Sequence, residues 1–320
     1  MKNIPMQWGE KPYHSLDYYL KNTYGEKIYK IALDAGMTCP NRDGKLDTRG
    51  CIFCSAGGSG DFASHGTSIR EQLENGKKLF RDKKTGTRFI AYFQSFTNTY
   101  ANPERLKFLF EEALSERDVV GISIATRPDC LEEPVIELLS SLKKNFPDKF
   151  IWIELGLQTI HEQTALFIRR GYPLAVFEDA LSRLEVAGLP VIVHLILGLP
   201  GETKDMMLAT CNYLSHKKIF GVKLQLLHIL KNTDLAIEFF KKSFEILEFE
   251  EYIDIIISCL ELLPPNVVIH RVTGDGPKEL LIEPVWSLNK RNVLNTLHKE
   301  LRLRKAFQGR LFAPDGINHL

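Results

Sequence analysis

The sequence predicts an α/β protein in which six or seven parallel strands form an open or partial barrel. Strand-like apolar runs alternate with helix-like segments every roughly 30–40 residues, and this alternation implies parallel strands joined by right-handed crossovers. Six or seven units suit a partial barrel better than a full eight-stranded one. With 320 residues, 44% of them hydrophobic and 25% charged, the chain is long enough for one such domain.

The predicted elements follow one another in a regular order. Strands are expected at 27–33, 88–94, 119–125, 150–157, 190–197, 220–228 and 266–270. Helices are expected at 68–84, 103–116, from 133 onward, at 161–169 and 173–187, and up to about 263. Ser68 with Glu71 has capping-box form, and Asn102-Pro103 supplies an N-cap followed by proline. We expect an N-terminal extension over 1–25, a partial barrel over 26–265, and a C-terminal strand with a basic helical extension over 266–320.

Composition excludes several classes of protein. The net charge of +1 argues against a chain that is basic throughout. No apolar stretch is long enough to span a bilayer, since the longest candidates, such as 190–199, are the size of a strand. The N-terminus lacks the apolar core of a signal peptide, so the cysteines are expected to be reduced. We therefore expect a cytoplasmic protein that does not contact membranes.

Three of the six cysteines, Cys39, Cys51 and Cys54, fall in one loop after the first predicted strand. Three thiolates leave one position of a metal site open to a ligand that is not protein, and an odd number disfavours a disulfide. The spacing favours structural zinc, with His65 as the fourth ligand, and a cubane iron–sulfur cluster about equally. The other three cysteines, Cys130, Cys211 and Cys259, are isolated in sequence and are expected to be small buried hydrophobic residues.

Polar residues recur on one face of the predicted strands. Period-two alternation places Glu154 with Gln158 on the fourth strand and Lys223 with Gln225 on the sixth. A strand buried on both faces should be almost entirely apolar, so these groups indicate a polar lumen at the end where barrel active sites assemble. The alternative for Glu154 is a buried structural ion pair with Arg127 or Lys223.

The C-terminal segment is basic. After Trp286 it carries seven cations against only two acids, Glu300 and Asp315. The cations are Lys290, Arg291, Lys299, Arg302, Arg304, Lys305 and Arg310. A solvated helix face and a patch that contacts phosphates are equally good interpretations.

Several motifs, taken in order along the chain, resemble the radical S-adenosylmethionine (SAM) superfamily. They are the cysteine triad with Phe53 before its last cysteine, and the segments 125–129 (ATRPD), 154–159 (ELGLQT) and 194–202 (HLILGLPGE). These motifs resemble the corresponding strands of the catalytic subunit of elongator, which modifies wobble uridine in tRNA. The resemblance covers roughly residues 20 to 270.

The resemblance extends to the bacterial YtqA/YhcC-type radical SAM proteins. It shows in the Cys-x11-Cys-x2-Cys spacing and in the segments 56–62, 93–100 and 269–276. In most of the superfamily the first two cysteines are separated by three residues rather than eleven. A longer loop costs little chain entropy, so a three-cysteine site is compatible with the longer spacing.

The resemblance implies a partial (β/α)6 barrel of the radical SAM type, with a [4Fe–4S] cluster on Cys39, Cys51 and Cys54. SAM would bind the fourth iron and be cleaved to a 5′-deoxyadenosyl radical that abstracts hydrogen from the substrate. The cluster would receive its electron from flavodoxin or ferredoxin. Besides the cysteines, the cofactor-binding residues implied by the resemblance are Phe53, Gln94, Ser95, Thr97, Arg127, Glu154, Gln158, Gly198, Lys223 and Gln225.

Within that set, the resemblance implies different parts of SAM for different residues. Glu154 and Gln158 would lie near the ribose or the methionine end, and Gly198 near the adenine. The superfamily's usual Gly-Gly-Glu is replaced by 94–97 (QSFT), which makes Gln94, Ser95 and Thr97 candidates for the methionine group. Arg127 would neutralise the carboxylate of SAM or pair with Asp129, whereas Lys223 and Gln225 would contact SAM or the substrate.

The resemblance also implies a substrate. YtqA-type members are linked to 5-aminomethyl-type wobble uridines, so the expected reaction converts 5-carboxymethylaminomethyluridine in tRNA to the 5-aminomethyl form. The basic C-terminal segment would then bind tRNA phosphates. Two alternatives remain open at this stage. One is a radical SAM enzyme that acts on a small metabolite or a protein, and the other is a zinc-stabilised module that binds nucleic acid.

Overall fold

The computed structural model describes residues 8–64, 66–83, 85–274 and 276–314. Its strands are β1 (Ile28–Leu33), β2 (Arg88–Phe93), β3 (Val119–Thr126), β4 (Phe150–Gln158), β5 (Val191–Leu197), β6 (Gly221–Leu226), β7 (Ile229–Leu230), β8 (Val268–Arg271) and β9 (Leu281–Glu283). Its helices are α1 (Leu16–Tyr24), α2 (Ile69–Lys78), α3 (Pro103–Leu114), α4 (Glu133–Asn145), α5 (Glu162–Phe167), α6 (Leu174–Val186), α7 (Lys204–Ser215), α8 (Asp234–Phe240), α9 (Phe249–Leu262) and α10 (Lys290–Leu303).

Seven strands form one sheet in the order β1-β2-β3-β4-β5-β6-β8, and β7 pairs with β9 separately. The pairs β1–β2, β2–β3, β3–β4 and β6–β8 are parallel, as the βα alternation predicts. The residues of β3 are all buried, as expected of a strand covered on both faces. The sequence prediction included all seven strands of this sheet but not β7, β9, α1, α7 or α8.

The helix predicted over 68–84 is shorter than expected, because α2 ends at Lys78. Beyond its end, Phe80 leaves the helical path and stacks on the ring of Tyr29 in β1, with ring centroids 4.5 Å apart. This aromatic contact outweighs the helix propensity of the lysine-rich segment that follows. Residue 84, the predicted end, lies outside the described residues.

The chain divides into two compact units. One, called here the cysteine-loop unit, consists of Leu20–Leu157 and Arg169–Val193. The other, called the C-terminal unit, consists of the chain up to Tyr19, Gln158–Ile168 and the chain from His194 onward. The domain limits expected from the sequence, with a barrel over 26–265, remain a prediction.

Within the cysteine-loop unit, packing against helices defines the two faces of the sheet. A Cβ added to Gly76 of α2 would lie 2.3 Å from Cγ2 of Ile31. Glycine at this position therefore allows α2 to pack closely against β1. Phe93 of β2 packs edge-on against Phe110 of α3, with centroids 5.0 Å apart. Since side chains alternate along a strand, Lys30 and Tyr92 point to the opposite face. That face, turned away from α2 and α3, is called the inner face below.

Candidate functional site

The loop after β1 carries the three cysteines of the triad. Within it, the eight residues 42–49 leave the path of the loop and return to it, and this segment is called the excursion below. The N–H of Gly50 donates a hydrogen bond of 2.6 Å to the carbonyl of Asn41, so the chain returns to the point it left. Inside the excursion, the N–H of Leu46 donates to the carbonyl of Pro40 at 2.9 Å. With 42–49 set aside, the cysteines follow one another as Cys-x3-Cys-x2-Cys. The excursion therefore accounts for the unusual spacing seen in the sequence.

The side chain of Asn41 fastens the base of this excursion to the second cysteine. It is 1% exposed, and its Nδ2 donates to the carbonyl of Arg169 at 2.7 Å and to Sγ of Cys51 at 3.4 Å. Gly171, at φ +83°, makes room for it, since a Cβ there would lie 2.7 Å from Oδ1 of Asn41. Asn41 is thus held from two sides and holds Cys51 in turn.

Arg42 braces the segment that contains the third cysteine. Its Nη2 donates to the carbonyls of Cys54 at 3.1 Å and Ser55 at 2.5 Å. Gly50 lies against this guanidinium, because a Cβ added there would come within 2.9 Å of Nε of Arg42. Phe53, predicted to contact the cofactor, is half-buried within the braced segment.

The three thiols lie within range of one another's charge. Burial raises the pKa of Cys51 to about 12, and thiolates at Cys54 and Cys39 would raise it further, whereas Arg127 opposes the shift. Burial likewise raises the pKa of Cys54, with Arg42 opposing. Three clustered, half-buried thiolates are therefore unfavourable unless a cation compensates them. A metal centre supplies that compensation, so the donor set fits one.

The described residues contain no group of three or more His, Cys, Asp or Glu side chains arranged around a single ion. His65, the predicted fourth zinc ligand, lies outside the described residues. In a cubane cluster, each cysteine binds a different iron. Three observations fit a cluster. The loop offers three thiol donors, their spacing is Cys-x3-Cys-x2-Cys when 42–49 are set aside, and a thiolate at one cysteine raises the pKa of a neighbouring one.

Gln94, Ser95 and Thr97, the candidates for the methionine group, lie in the loop after β2 and pack against the cysteine loop. Nε2 of Gln94 donates to the carbonyl of Ser59 at 2.5 Å, and the N–H of Thr97 donates to the carbonyl of Thr38 at 3.2 Å. The hydroxyl of Ser95 is buried and has no hydrogen-bond partner among the described residues. These contacts support both ends of the cysteine loop, and a role toward methionine stays a prediction.

Arg127 is engaged by the protein itself. Its Nε and Nη2 donate to the two carboxylate oxygens of Asp129 at 2.9 and 2.7 Å, and its Nη1 donates to the carbonyl of Arg170 at 3.0 Å. The guanidinium also lies 4.9 Å from the ring centroid of Tyr172. The ion pair with Asp129, one of the two roles expected from the sequence, is the one observed. Contact with the carboxylate of SAM stays a prediction.

Glu154 lies on the inner face and has partners that were not considered from the sequence. Its Oε1 accepts from Nζ of Lys30 at 2.9 Å and from Oγ of Ser123 at 2.6 Å. Lys30 of β1 reaches across Tyr92 of β2 to the carboxylate, whereas Arg127 pairs with Asp129. Pairing of Glu154 with Lys223 and contact of Glu154 with SAM stay predictions. The signal missed in the sequence was a single lysine inside an otherwise apolar strand.

The remaining predicted residues belong to the C-terminal unit and are described within it. Gln158 ends β4 with φ +63°. Gly198 has φ +84°, and a Cβ there would lie 3.0 Å from Cδ1 of Leu247. On β6, Lys223 is buried and Gln225 is half-buried. Contacts of these four residues with SAM or substrate stay predictions.

The other three cysteines, Cys130, Cys211 and Cys259, are buried, as predicted. Cys211 and Cys259 are not isolated, however, because a hydrogen bond between the two thiols raises the pKa of Cys211. They are separated by 48 residues in sequence and meet only because α7 packs on α9. Their pairing concerns the interior of the C-terminal unit and not the cysteine loop.

Comparison with known proteins decides the family. The model of the radical SAM superfamily matches residues 48–214, and that of the radical SAM C-terminal domain matches residues 219–302. The chain is 44% identical to YtqA of Bacillus subtilis (strain 168) over 315 residues, covering 98% of this chain and 97% of YtqA. It is 35% identical to YhcC of Escherichia coli (strain K12), covering 85% and 86% of the two chains.

The chain belongs to the radical SAM superfamily. It is therefore a radical SAM enzyme, and the predicted cofactors, a [4Fe–4S] cluster and SAM, are confirmed as those of its superfamily. Membership decides against the zinc-stabilised binding module. Of the helices that the structure describes, none combines the length and the apolar character that a membrane span requires.

More distant relatives are of the elongator type. The chain is 26% identical to the tRNA uridine(34) acetyltransferase of Methanocaldococcus jannaschii over 178 residues, which are 55% of this chain and 32% of that protein. In fold it resembles the structure of Elp3 from Methanocaldococcus infernus, with a TM-score of 0.69, 18% identity, and coverage of 88% and 64% of the two chains. This likeness confirms the predicted α/β fold of the radical SAM partial-barrel type.

The close packing of Gly50 against the guanidinium of Arg42 leads to a prediction about cluster loading. In Gly50→Ala, the new methyl group meets left-handed backbone strain and also displaces Arg42 from the carbonyls of Cys54 and Ser55. We expect the loop to be destabilised by about 2–4 kcal/mol, from strain plus the loss of charge-assisted hydrogen bonds. The protein should then retain much less iron and sulfide after anaerobic reconstitution.

The matched control is Gly44→Ala in the same excursion. Gly44 also has a left-handed φ, +93°, but no atom lies within 4 Å of an added Cβ. This variant carries the backbone strain without the clash, so its iron content should stay close to that of the wild type. Equal iron loss in both variants would contradict the role assigned to Arg42.

Proposed function

We propose that the protein acts on a modified wobble uridine of tRNA and removes the carboxymethyl group from 5-carboxymethylaminomethyluridine. Hydrogen abstraction at the methylene carbon next to the carboxylate, followed by loss of a proton and of one further electron to an oxidised carrier of the flavodoxin or ferredoxin class, gives an imine. Water hydrolyses this imine, so the products are the 5-aminomethyl form and glyoxylate. The observation that carries the proposal is the similarity to elongator-type relatives, one of which is named for its action on uridine 34 of tRNA. A one-electron reductant of the flavodoxin or ferredoxin class completes the proposed system.

A basic stripe on α10 supports a nucleic-acid substrate. The stripe consists of Arg291, Asn295, Lys299 and Arg302, which are exposed and recur at helical spacing. These residues fall within about 80° of one another around the helix and extend for about 16 Å along it. Three cations on one side of a helix, with no carboxylate in the stripe, can contact several successive phosphates.

The structure narrows the basic segment expected from the sequence. Arg304 pairs with Asp254 of α9 and with Glu300, and Arg310 pairs with Glu261 of α9. These two arginines are neutralised by acids that are distant in sequence. Asp315, the other acid considered from the sequence, lies outside the described residues. We assign the proposed phosphate contacts to the stripe, and Lys290 and Lys305 stay candidates for further contacts.

When bound, the cluster and SAM supply the one-electron chemistry and the radical that abstracts hydrogen. Asn41 and Arg42 hold the backbone and sulfurs of the cysteine loop in place. Arg127 keeps a buried positive charge beside Cys51, which favours the thiolate form that metal ligation requires. The polar inner face around Glu154 offers groups that can orient a polar substrate.

Removal of the stripe should weaken tRNA binding through the loss of phosphate contacts. For the triple variant Arg291→Gln, Lys299→Gln and Arg302→Gln, the slope of log affinity against log salt should fall by about 2–3, as expected for three contacts. Binding is measured by filter retention or fluorescence anisotropy over a range of salt concentrations. A slope equal to that of the wild type would remove the stripe from the interface.

The matched control removes three exposed lysines from helices of the other unit, Lys78, Lys107 and Lys144, by substitution with glutamine. It makes the same change in net charge, so it tests whether position or total charge matters. We expect its salt slope to remain within experimental error of the wild type. A similar loss in both triple variants would indicate that binding is not localised on α10.

The reaction itself is tested with tRNA that carries 5-carboxymethylaminomethyluridine at the wobble position. Reconstituted protein, SAM and dithionite are incubated with this tRNA without oxygen, and the nucleosides are analysed by mass spectrometry. The proposal predicts 5-aminomethyluridine together with 5′-deoxyadenosine. An unchanged nucleoside, with SAM cleavage stimulated by a metabolite or protein instead, would overturn the tRNA assignment.

A further inference from the structure

Four neighbouring strands contribute one layer of polar side chains to the inner face of the cysteine-loop unit. They are Lys30 of β1, Tyr92 of β2, Ser123 of β3 and Glu154 of β4. Nζ of Lys30 lies 2.9 Å from Oε1 of Glu154 and 4.9 Å from the ring centroid of Tyr92, and Oγ of Ser123 lies 2.6 Å from the same carboxylate oxygen. The layer is a connected network and not a set of separate polar residues.

The two charged members of the layer differ in accessibility. The side chain of Glu154 is 0% exposed, whereas that of Lys30 is 22% exposed. The carboxylate is therefore enclosed by its partners, and the ammonium is the charged group that a ligand can reach. A ligand that binds here meets a positive charge, and the chemistry favours an anion.

The ammonium also has hydrogen-bonding capacity to spare. Lys30 has three N–H donors, and among the described residues Glu154 provides the acceptor for one of them. The face of Tyr92 stabilises the cation without accepting a conventional hydrogen bond. Two donors therefore remain for the two oxygens of a carboxylate.

A charged layer at this position is not explained by stability alone. A buried ion pair loses more solvation than an apolar pair of similar volume, and its replacement by hydrophobic residues is often neutral or stabilising. The other face of the same strands is apolar where Ile31 and Phe93 meet the helices. The energetic cost of Lys30 and Glu154 thus points to a ligand-binding role.

We propose that Lys30, oriented by Glu154 and Ser123, binds the carboxylate of the substrate's side chain. This inference rests on the proposed function, because 5-carboxymethylaminomethyluridine carries such a carboxylate at the end of the group to be removed. When Lys30 holds the carboxylate, the methylene carbon next to that carboxylate is fixed in position. Lys30 thereby selects the carboxymethyl form over neutral or cationic modifications of the same nucleoside.

The test compares two anticodon stem-loop RNAs that differ at one group. One carries 5-carboxymethylaminomethyluridine at the wobble position, and the other carries the corresponding neutral carboxamide. Equilibrium binding is measured by fluorescence anisotropy on reconstituted protein without reductant, so the readout does not depend on turnover. The wild type should prefer the carboxylate RNA by about 10-fold or more, as expected for a charge-assisted hydrogen bond.

In Lys30→Met, this preference should disappear, with both RNAs bound as weakly as the carboxamide is by the wild type. Because this variant removes a cation that pairs with the buried Glu154 carboxylate, it is compared with Lys30→Met/Glu154→Gln, which removes both charges. The double variant should show the same loss of preference. Lys78→Met on α2, an exposed lysine, is the control that should keep the wild-type preference.

The outcomes separate this inference from the proposed function. Two results would overturn the role of Lys30 while the tRNA function stands. In one, the wild type converts the carboxylate RNA but does not bind it in preference to the carboxamide RNA. In the other, the wild type converts the carboxylate RNA and the preference persists in both Lys30 variants. If the wild type neither binds nor converts the carboxylate RNA, the proposed function fails and the inference fails with it.

Discussion

The hydrogen bond from the N–H of Gly50 to the carbonyl of Asn41 is the contact on which the cofactor site depends. Lengthening a loop from three residues to eleven costs only about 1 kcal/mol of closure entropy. One backbone hydrogen bond contributes about 1 kcal/mol, so this single contact is of the right size to offset the insertion. With the excursion closed, the thiols of Cys39, Cys51 and Cys54 occupy the positions of a much shorter motif.

The protein groups around the cysteine loop do not by themselves compensate the negative charge of three thiolates. Burial works against three thiolates, whereas Arg42 and Arg127 supply positive charge at the edges of the loop. Deeper in the same unit, Lys30 and Glu154 bring opposite charges onto a face that could have been apolar. The loop and the inner face are thus two polar regions of different character, one built for a metal cofactor and one suited to an anionic ligand.

Much of this could be predicted from the sequence because it depends on local patterns. Buried parallel strands are continuous apolar runs, and the cysteine triad is visible as residue types at fixed intervals. Features that depend on tertiary contacts could not be predicted. Lys30 and Glu154 are 124 residues apart, and nothing in the pattern of either strand specifies the pair. The same holds for Arg310 and Glu261, which meet only when the segment after α10 packs against α9.

Iron content and 5′-deoxyadenosine formation after anaerobic reconstitution report directly on whether the triad holds the cluster. The comparison is between the wild type, Cys51→Ala and Cys130→Ala. The account predicts about four irons per chain and SAM cleavage in the wild type and in Cys130→Ala, and loss of both in Cys51→Ala, because only Cys51 belongs to the cluster-binding triad. Full iron content and 5′-deoxyadenosine in Cys51→Ala, or their loss in Cys130→Ala alone, would contradict it.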